Sequence, residues 1–178
     1  MAYGKSWGPS TWYLFHCLAL SWSEENIQKY INFFRVARSI IPCEICKIHF
    51  SRAIRRPINH IVKNCDERDK MFEWTVRLHN NVNRMNKKGV IPPNKARNIY
   101  IKNENLVIKN GIIIRFLREF IAYNFRFNNW KRENAFRLMR LLVDIYPSPK
   151  KRAILQEKFA KKPPRHKWLQ ILVNTLKK

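Results

Sequence analysis

Apolar side chains recur three and four residues apart through most of this chain, and that spacing is the strongest constraint on what it can become. Strict alternation is rare and glycine is scarce, 4 in 178 residues, so helices are predicted in place of sheets. Gly8-Pro9-Ser10 reads as a helix start with Trp12, Phe15, His16 and Ala19 on one face. A second helix is expected after Ser23, capped by its side chain, with Ile27, Tyr30, Ile31, Phe34, Ala37 and Ile41 as its stripe. A third opens at Pro42, a residue suited to the first helical position, and puts Cys46, His49, Phe50 and Ala53 on one side before ending near Arg56-Pro57.

Residues 58–65 read as a loop, and a fourth helix spans 66–86. Met71, Thr75, Leu78, Val82 and Met85 form its core stripe, with Phe72, Val76, His79 and Asn83 beside it. Polar groups bordering an apolar seam need partners, which neighbouring helices or a ligand would supply. Gly89 and the prolines after it end that helix, a short turn at 95–101 carries Tyr100, and 103–111 reads as a boundary. Helical patterns follow at 112–127, 130–146, 150–161 and 166–176, punctuated by prolines. The expected division is a unit at 1–105 followed by a basic helical domain at 106–178.

A content of 46% hydrophobic and 13% aromatic residues excludes a disordered chain. The 36 Lys+Arg against 12 Asp+Glu give a net charge of +24, which predicts affinity for polyanions. No apolar run has the length of a membrane span, and the first residues lack a secretory signal pattern, so a soluble protein made in the cytosol is expected.

The most reactive chemistry lies in Pro42-Cys43-Glu44-Ile45-Cys46. Cysteines three positions apart close a disulfide across one helical turn, and a thiol at a helix N-terminus is favoured as thiolate, so the bond exchanges readily. Four cysteines, unevenly placed, do not make a disulfide-stapled secreted domain. Three readings stand: a thioredoxin-like dithiol, a zinc site, and a flavin-coupled disulfide. The first needs strands around the motif, where the flanks read as helices. Zinc draws on Cys43, Cys46, His49, His60 and Cys65, although His60 and Cys65 make a loose second pair; a basic, zinc-stabilised module that binds nucleic acid goes with it.

Three separated stretches, in register, resemble one family. Gly8-x3-Trp12-x3-His16, then Pro42-Cys43-x-x-Cys46, then Trp74-x4-His79-Asn80-x-Val82-Asn83-x4-Lys88 are similar to the motifs of the Erv/ALR flavin-linked sulfhydryl oxidases, within them most like the small oxidases of large nucleocytoplasmic DNA viruses. The resemblance covers about residues 1–102. It implies an all-α fold: a four-helix bundle with a short fifth helix, holding FAD beside the disulfide, and no metal. By position, Gly8, Thr11, Trp12 and His16 would line the flavin from the first helix. His79, Asn80, Val82, Asn83 and Lys88 would hold the ribose, adenine and phosphates from the fourth, and Tyr100 would pack on the adenine. His49 is grouped with them as a residue able to tune the thiolate, a packed helical histidine being the plainer reading.

The implied reaction is a relay. A substrate thiolate attacks Cys43, a second thiol resolves the mixed disulfide, Cys46 passes the electron pair to the flavin, and oxygen leaves as hydrogen peroxide. The resemblance also implies homodimers and a viral setting in the host cytoplasm, with the virion as a second location. Cellular members carry cysteines where Val76 and Pro93 stand, so their structural disulfide cannot form here, and this chain has no second CxxC pair. Protein thiols must therefore reach Cys43 directly, or a separate dithiol carrier must deliver the electrons. Cys17 reads as a small buried hydrophobe and Cys65 as a free thiol. Beyond residue 110, aromatics among arginines, from Phe116 to Trp130, permit weak nucleic-acid binding; the plainer reading makes those aromatics core and the arginines solvated.

Overall fold

The computed structural model describes residues 4–53, 68–103, 105–126 and 128–178. The expected loop with His60 and Cys65, the predicted helix end at Pro57, and Phe127 lie outside the described residues.

A helix that is apolar all round has to be enclosed. Helix α1 (Gly4–Leu20) is such a helix: from Ser10 to Leu20 every residue except Trp12 is buried. The stripe of Trp12, Phe15, His16 and Ala19 is thus one side of a rod whose other sides also face protein. It begins four residues before the predicted start, because Pro9 near the helix beginning removes a single N–H and leaves the later turns intact. The hydroxyls of Ser10 and Thr11 both donate to the Trp7 carbonyl, at 2.9 and 2.8 Å.

A 3-10 turn (Glu24–Asn26) leads into α2 (Ile27–Ser39). Ser23 does not cap it; the Ser23 hydroxyl accepts from Asn26 Nδ2 at 3.1 Å, because the turn intervenes. Ile41 lies past the helix and is buried. Helix α3 (Glu44–Ala53), α4 (Arg68–Met85) and α5 (Pro93–Tyr100) complete the expected bundle. Aromatic edges close it: Phe15 meets Phe34 at 5.0 Å, Phe34 meets Trp74 at 5.3 Å, and Trp12 meets Phe50 at 5.8 Å. Met71, Thr75 and Leu78 are buried as expected, but Met85 is exposed along with Arg84 and Asn86, so packing ends a turn before α4 does.

The predicted boundary after Tyr100 contains a small antiparallel ribbon in which β1 (Ile101–Lys102) pairs with β2 (Asn105–Leu106). Asn103 adopts the left-handed conformation there, φ 48°, as asparagine tolerates. Helix α6 (Asn110–Phe116) then runs on through a π-helical stretch (Leu117–Ile121) and a last turn (Ala122–Asn124). Asn128 caps α7 (Asn129–Ile145), and Ser148 caps α8 (Pro149–Ala160), which has proline at its start. A turn (Arg165–Lys167) precedes α9 (Trp168–Lys177).

These helices are not appended at a distance. Helix α6 lies on α1, α7 lies on α2, and α8 and α9 pack against α7. Phe116, Phe120, Leu138 and Leu142 share one hydrophobic cluster with the residues of the bundle. Among the described residues, no helix is long and apolar enough to cross a membrane.

Candidate functional site

Cys43 and Cys46 are joined in a disulfide, with Cα atoms 5.1 Å apart. Pro42 is not the first helical residue, as the sequence suggested. Cys43 stands between it and α3 as the capping residue: its carbonyl accepts from Lys47 N at 2.8 Å, and its Sγ accepts from Cys46 N at 3.2 Å. The sulfur thus receives an N–H that has no partner within the helix, in the positive field of the helix end. Both cysteines are half-buried.

Cys46, but not Cys43, lines a cavity of about 710 Å³ between α1, α3 and α4. Phe50 comes to it from α3, and Gly8, Thr11 and Trp12 from α1. His79, Val82, Asn83 and Lys88 come from α4 and its end, and Tyr100 from α5. Three residues from the same predicted set do not line it. His16 is buried behind His79. Asn80 spends both ends of its amide on Ile91, donating to the carbonyl at 2.7 Å and accepting from the N–H at 3.2 Å, which pins the connection to α5. His49 is half-buried with its Nδ1 unpartnered among the described residues.

The histidines form an ordered chain. Thr75 donates its hydroxyl hydrogen to the Phe72 carbonyl at 2.8 Å, so toward His16 Nδ1, 3.0 Å away, the same oxygen accepts. His16 therefore carries its proton on Nδ1. It is neutral, because burial and the neighbouring His79 lower its pKa from 6.5 to about 3. Its Nε2 then accepts from His79 Nδ1–H, at 3.1 Å. Burial, with the charge of Lys88, lowers the His79 pKa to about 4, so His79 is neutral too and keeps Nε2 as its free acceptor. Trp12 stacks on the His79 ring, centroids 4.2 Å apart and planes 7° from parallel.

Lys88 owes its position to how α4 ends. Lys88 N donates to Asn83 O at 2.8 Å and Lys87 N to Arg84 O at 3.1 Å, with Lys87 left-handed at φ 53°. That is a Schellman closure, and the chain reverses at Lys87, two residues before the glycine the sequence pointed to. On the opposite side, the Tyr13 hydroxyl donates to Val107 O at 3.0 Å and accepts from Lys109 N at 2.8 Å, tying α1 to the segment that enters α6.

Sequence reasoning missed Trp7, Tyr13 and Asn86 on the cavity wall, and Ile112 and Arg115 from α6. Trp7 and Asn86 were recoverable, being within a helical turn of Gly8 and Asn83. Nothing local marks Arg115, since its position depends on how α6 packs. Of the aromatics beyond residue 110, Phe116 and Phe120 are buried and Phe125 packs on Phe136 at 4.9 Å, whereas Trp130 is exposed. They are mainly core, as the plainer reading had it. Cys17 is fully buried, and burial pushes its thiol up to about 12. Among the described residues no group of three or more side chains is arranged to hold a metal ion.

Comparison with known proteins adds relatives. Over 84 residues the chain is 30% identical to a probable FAD-linked sulfhydryl oxidase of Acanthamoeba polyphaga mimivirus, a match covering 44% of this chain and 57% of that protein, so it spans little more than half of that relative. It is 31% identical over 115 residues to an FAD-linked sulfhydryl oxidase of African swine fever virus (Kenya isolate), covering 59% of this chain and 88% of that one. The corresponding protein of the Malawi isolate is 33% identical over 104 residues, 53% and 79% of the two chains. No solved structure gives a significant match. The family model described as Erv1 / Alr matches residues 9–101, the segment that contributes the disulfide and most of the cavity wall, and the chain belongs to the Erv1 / Alr family.

Proposed function

We propose that this chain is an FAD-dependent thiol oxidase that makes disulfides in protein thiols with oxygen as acceptor. The observation that carries the reading is that Cys46, alone of the disulfide pair, lines the cavity walled by Trp12, His79 and Lys88. The residues present suit FAD. A cavity of about 710 Å³ falls within the roughly 300–1,000 Å³ usual for small-molecule sites. Trp12, Phe50 and Tyr100 offer flat faces to fused rings, and Lys88 offers charge to a diphosphate. Trp7, on the same wall, has a buried indole N–H without a partner among the described residues. When bound, FAD supplies the two-electron acceptor that oxygen regenerates with release of hydrogen peroxide.

The chain's own part is thiol exchange. A substrate thiolate attacks Cys43 Sγ, the sulfur outside the cavity; the Cys43–Cys46 bond breaks and Cys46 becomes a thiolate inside it. A second substrate thiol then attacks the mixed disulfide, forming the product disulfide and releasing Cys43. That departure is assisted by the Cys46 N–H aimed at Cys43 Sγ and by the helix N-terminus, both of which favour the thiolate. Two electrons and two protons leave the substrate, and the electrons are held by the reduced Cys43 and Cys46 pair, of which Cys46 lies at the cavity wall.

Ile45 and Ile48 flank the disulfide at 65% and 47% exposure and give a thiol substrate or a separate dithiol carrier an apolar footing. A homodimer, also expected, would use surfaces other than α1, which α4 and α6 enclose. Weak nucleic-acid affinity follows from the +24 charge as a by-product. The setting proposed from the viral relatives is the host cytoplasm, with the virion as a second location.

The test is direct. The purified chain supplied with FAD is expected to be yellow and to consume oxygen with dithiothreitol, and Cys46→Ser to abolish flavin reduction by thiols. A colourless preparation, or either cysteine variant at full turnover, refutes the relay.

A further inference from the structure

Among the described residues, the cavity wall carries Lys88 and Arg115 and no carboxylate. Lys88 comes from the Schellman turn after α4, and Arg115 from α6, fourteen residues past the end of the family match. Neither side chain makes a hydrogen bond or ion pair among the described residues, although the chain has acidic groups that pair elsewhere, such as Glu133 with Arg165. Both residues are exposed, so water screens their repulsion in the empty cavity, and an anion placed between them would be attracted by both.

Helix packing puts both cations at one end. Helix α6 runs antiparallel to α1, since Tyr13 bonds to Val107 and Lys109 while Trp7 meets Phe120 at 5.6 Å. Arg115 therefore falls level with the stretch around Gly8 to Thr11. Helix α4 is also antiparallel to α1: Trp12 stacks on His79 and His16 bonds to Thr75, which sets Asn83 and the turn bearing Lys88 beside Gly8. Phe50, which lines the cavity from α3 as Cys46 does, meets Trp12 at 5.8 Å, one turn further along α1. The Cys46 sulfur and the two cations thus line one cavity that also carries aromatic faces, an arrangement suited to a long ligand with a flat head and a doubly anionic middle.

We propose that Arg115 and Lys88 together hold the diphosphate of FAD, so that the helices beyond residue 105 complete the cofactor site instead of merely following it. The inference rests on the flavin reading above and goes beyond it, because Arg115 lies outside the family match. Lysine acts on a phosphate as a point charge; the guanidinium adds a planar fork that engages two oxygens.

The full chain is titrated with FAD, following flavin fluorescence, at about 25 and about 300 mM salt. Arg115→Gln is expected to raise the FAD Kd about tenfold at low salt, with the gap narrowing at high salt. Arg115→Lys keeps most of the affinity. Arg118→Gln, an exposed arginine on the same rod that does not line the cavity, behaves as wild type and controls for general loss of charge. Arg115→Gln within twofold of wild type, an equal loss in Arg118→Gln, or a gap indifferent to salt overturns the clamp and leaves the function standing. A wild-type chain that binds no FAD removes the function, and the clamp with it.

Discussion

Replacing Thr75 by valine tests the hydrogen-bond chain behind the cavity wall. Thr75 is fully buried and His16 is 3% exposed, so no water replaces the lost oxygen. In wild type the oxygen accepts from His16 Nδ1 at 3.0 Å, the link that orients the next bond, His16 Nε2 to His79 Nδ1 at 3.1 Å. Valine puts a methyl group against a buried N–H. Leaving such a donor unpaired costs about 1–3 kcal/mol. His16 has one escape, to move its proton to Nε2, but that proton then points at His79 Nδ1, which must become an acceptor and protonate Nε2 instead. The wall would then present a donor where it had an acceptor. Two measurements separate these outcomes: urea denaturation reads the stability loss, and ¹⁵N chemical shifts of the imidazole nitrogens read the tautomers. Thr75→Ser, which keeps the hydroxyl and deletes one methyl, is expected to lose only about 1 kcal/mol and no tautomer order. If Thr75→Val matches wild type in stability and in both tautomers, the chain as derived is wrong.

The same pair predicts acid sensitivity. The folded-state pKa values of His16 and His79, about 3 and about 4, lie below the unfolded 6.5, so between those values the unfolded chain binds more protons. Their contribution is complete above pH 6.5 and is lost as pH falls through about 4 for His79 and about 3 for His16, and denaturation midpoints should decline over that window; a flat profile there, or a His16→Gln variant with the same decline, counts against it. Lys87→Gly is expected to stabilise the chain by about 1 kcal/mol, because glycine accepts the φ of 53° that lysine adopts at a penalty, and a lower urea midpoint in the variant would contradict the Schellman reading.

Much of the fold was legible because helix formation here is governed by local spacing. The stripes of α2 and α4 and the prolines around α8 mark their helices without reference to anything distant. The misreadings share a cause. Gly8, Ser23 and Gly89 look like helix punctuation, yet Pro9 was tolerated near a helix start, a 3-10 turn displaced the cap, and Lys87 took the left-handed position. In each case backbone hydrogen bonding around the residue overrode its intrinsic preference.

The candidate site divides in the same way. Residue order alone determined that a CxxC pair opens a helix and that His79, Val82 and Asn83 lie along one side of α4, since these follow from 3.6 residues per turn. It also determined that Trp12 and His16 lie together. Only the tertiary structure decided that His16 stands behind His79 instead of on the cavity wall, that Asn80 holds Ile91, that the turn after α4 brings Lys88 to the cavity, and that Arg115 lines the same cavity. Periodicity says which side chains share a face; what that face meets depends on contacts between residues far apart in the chain, such as Tyr13 with Lys109, and no local pattern encodes those.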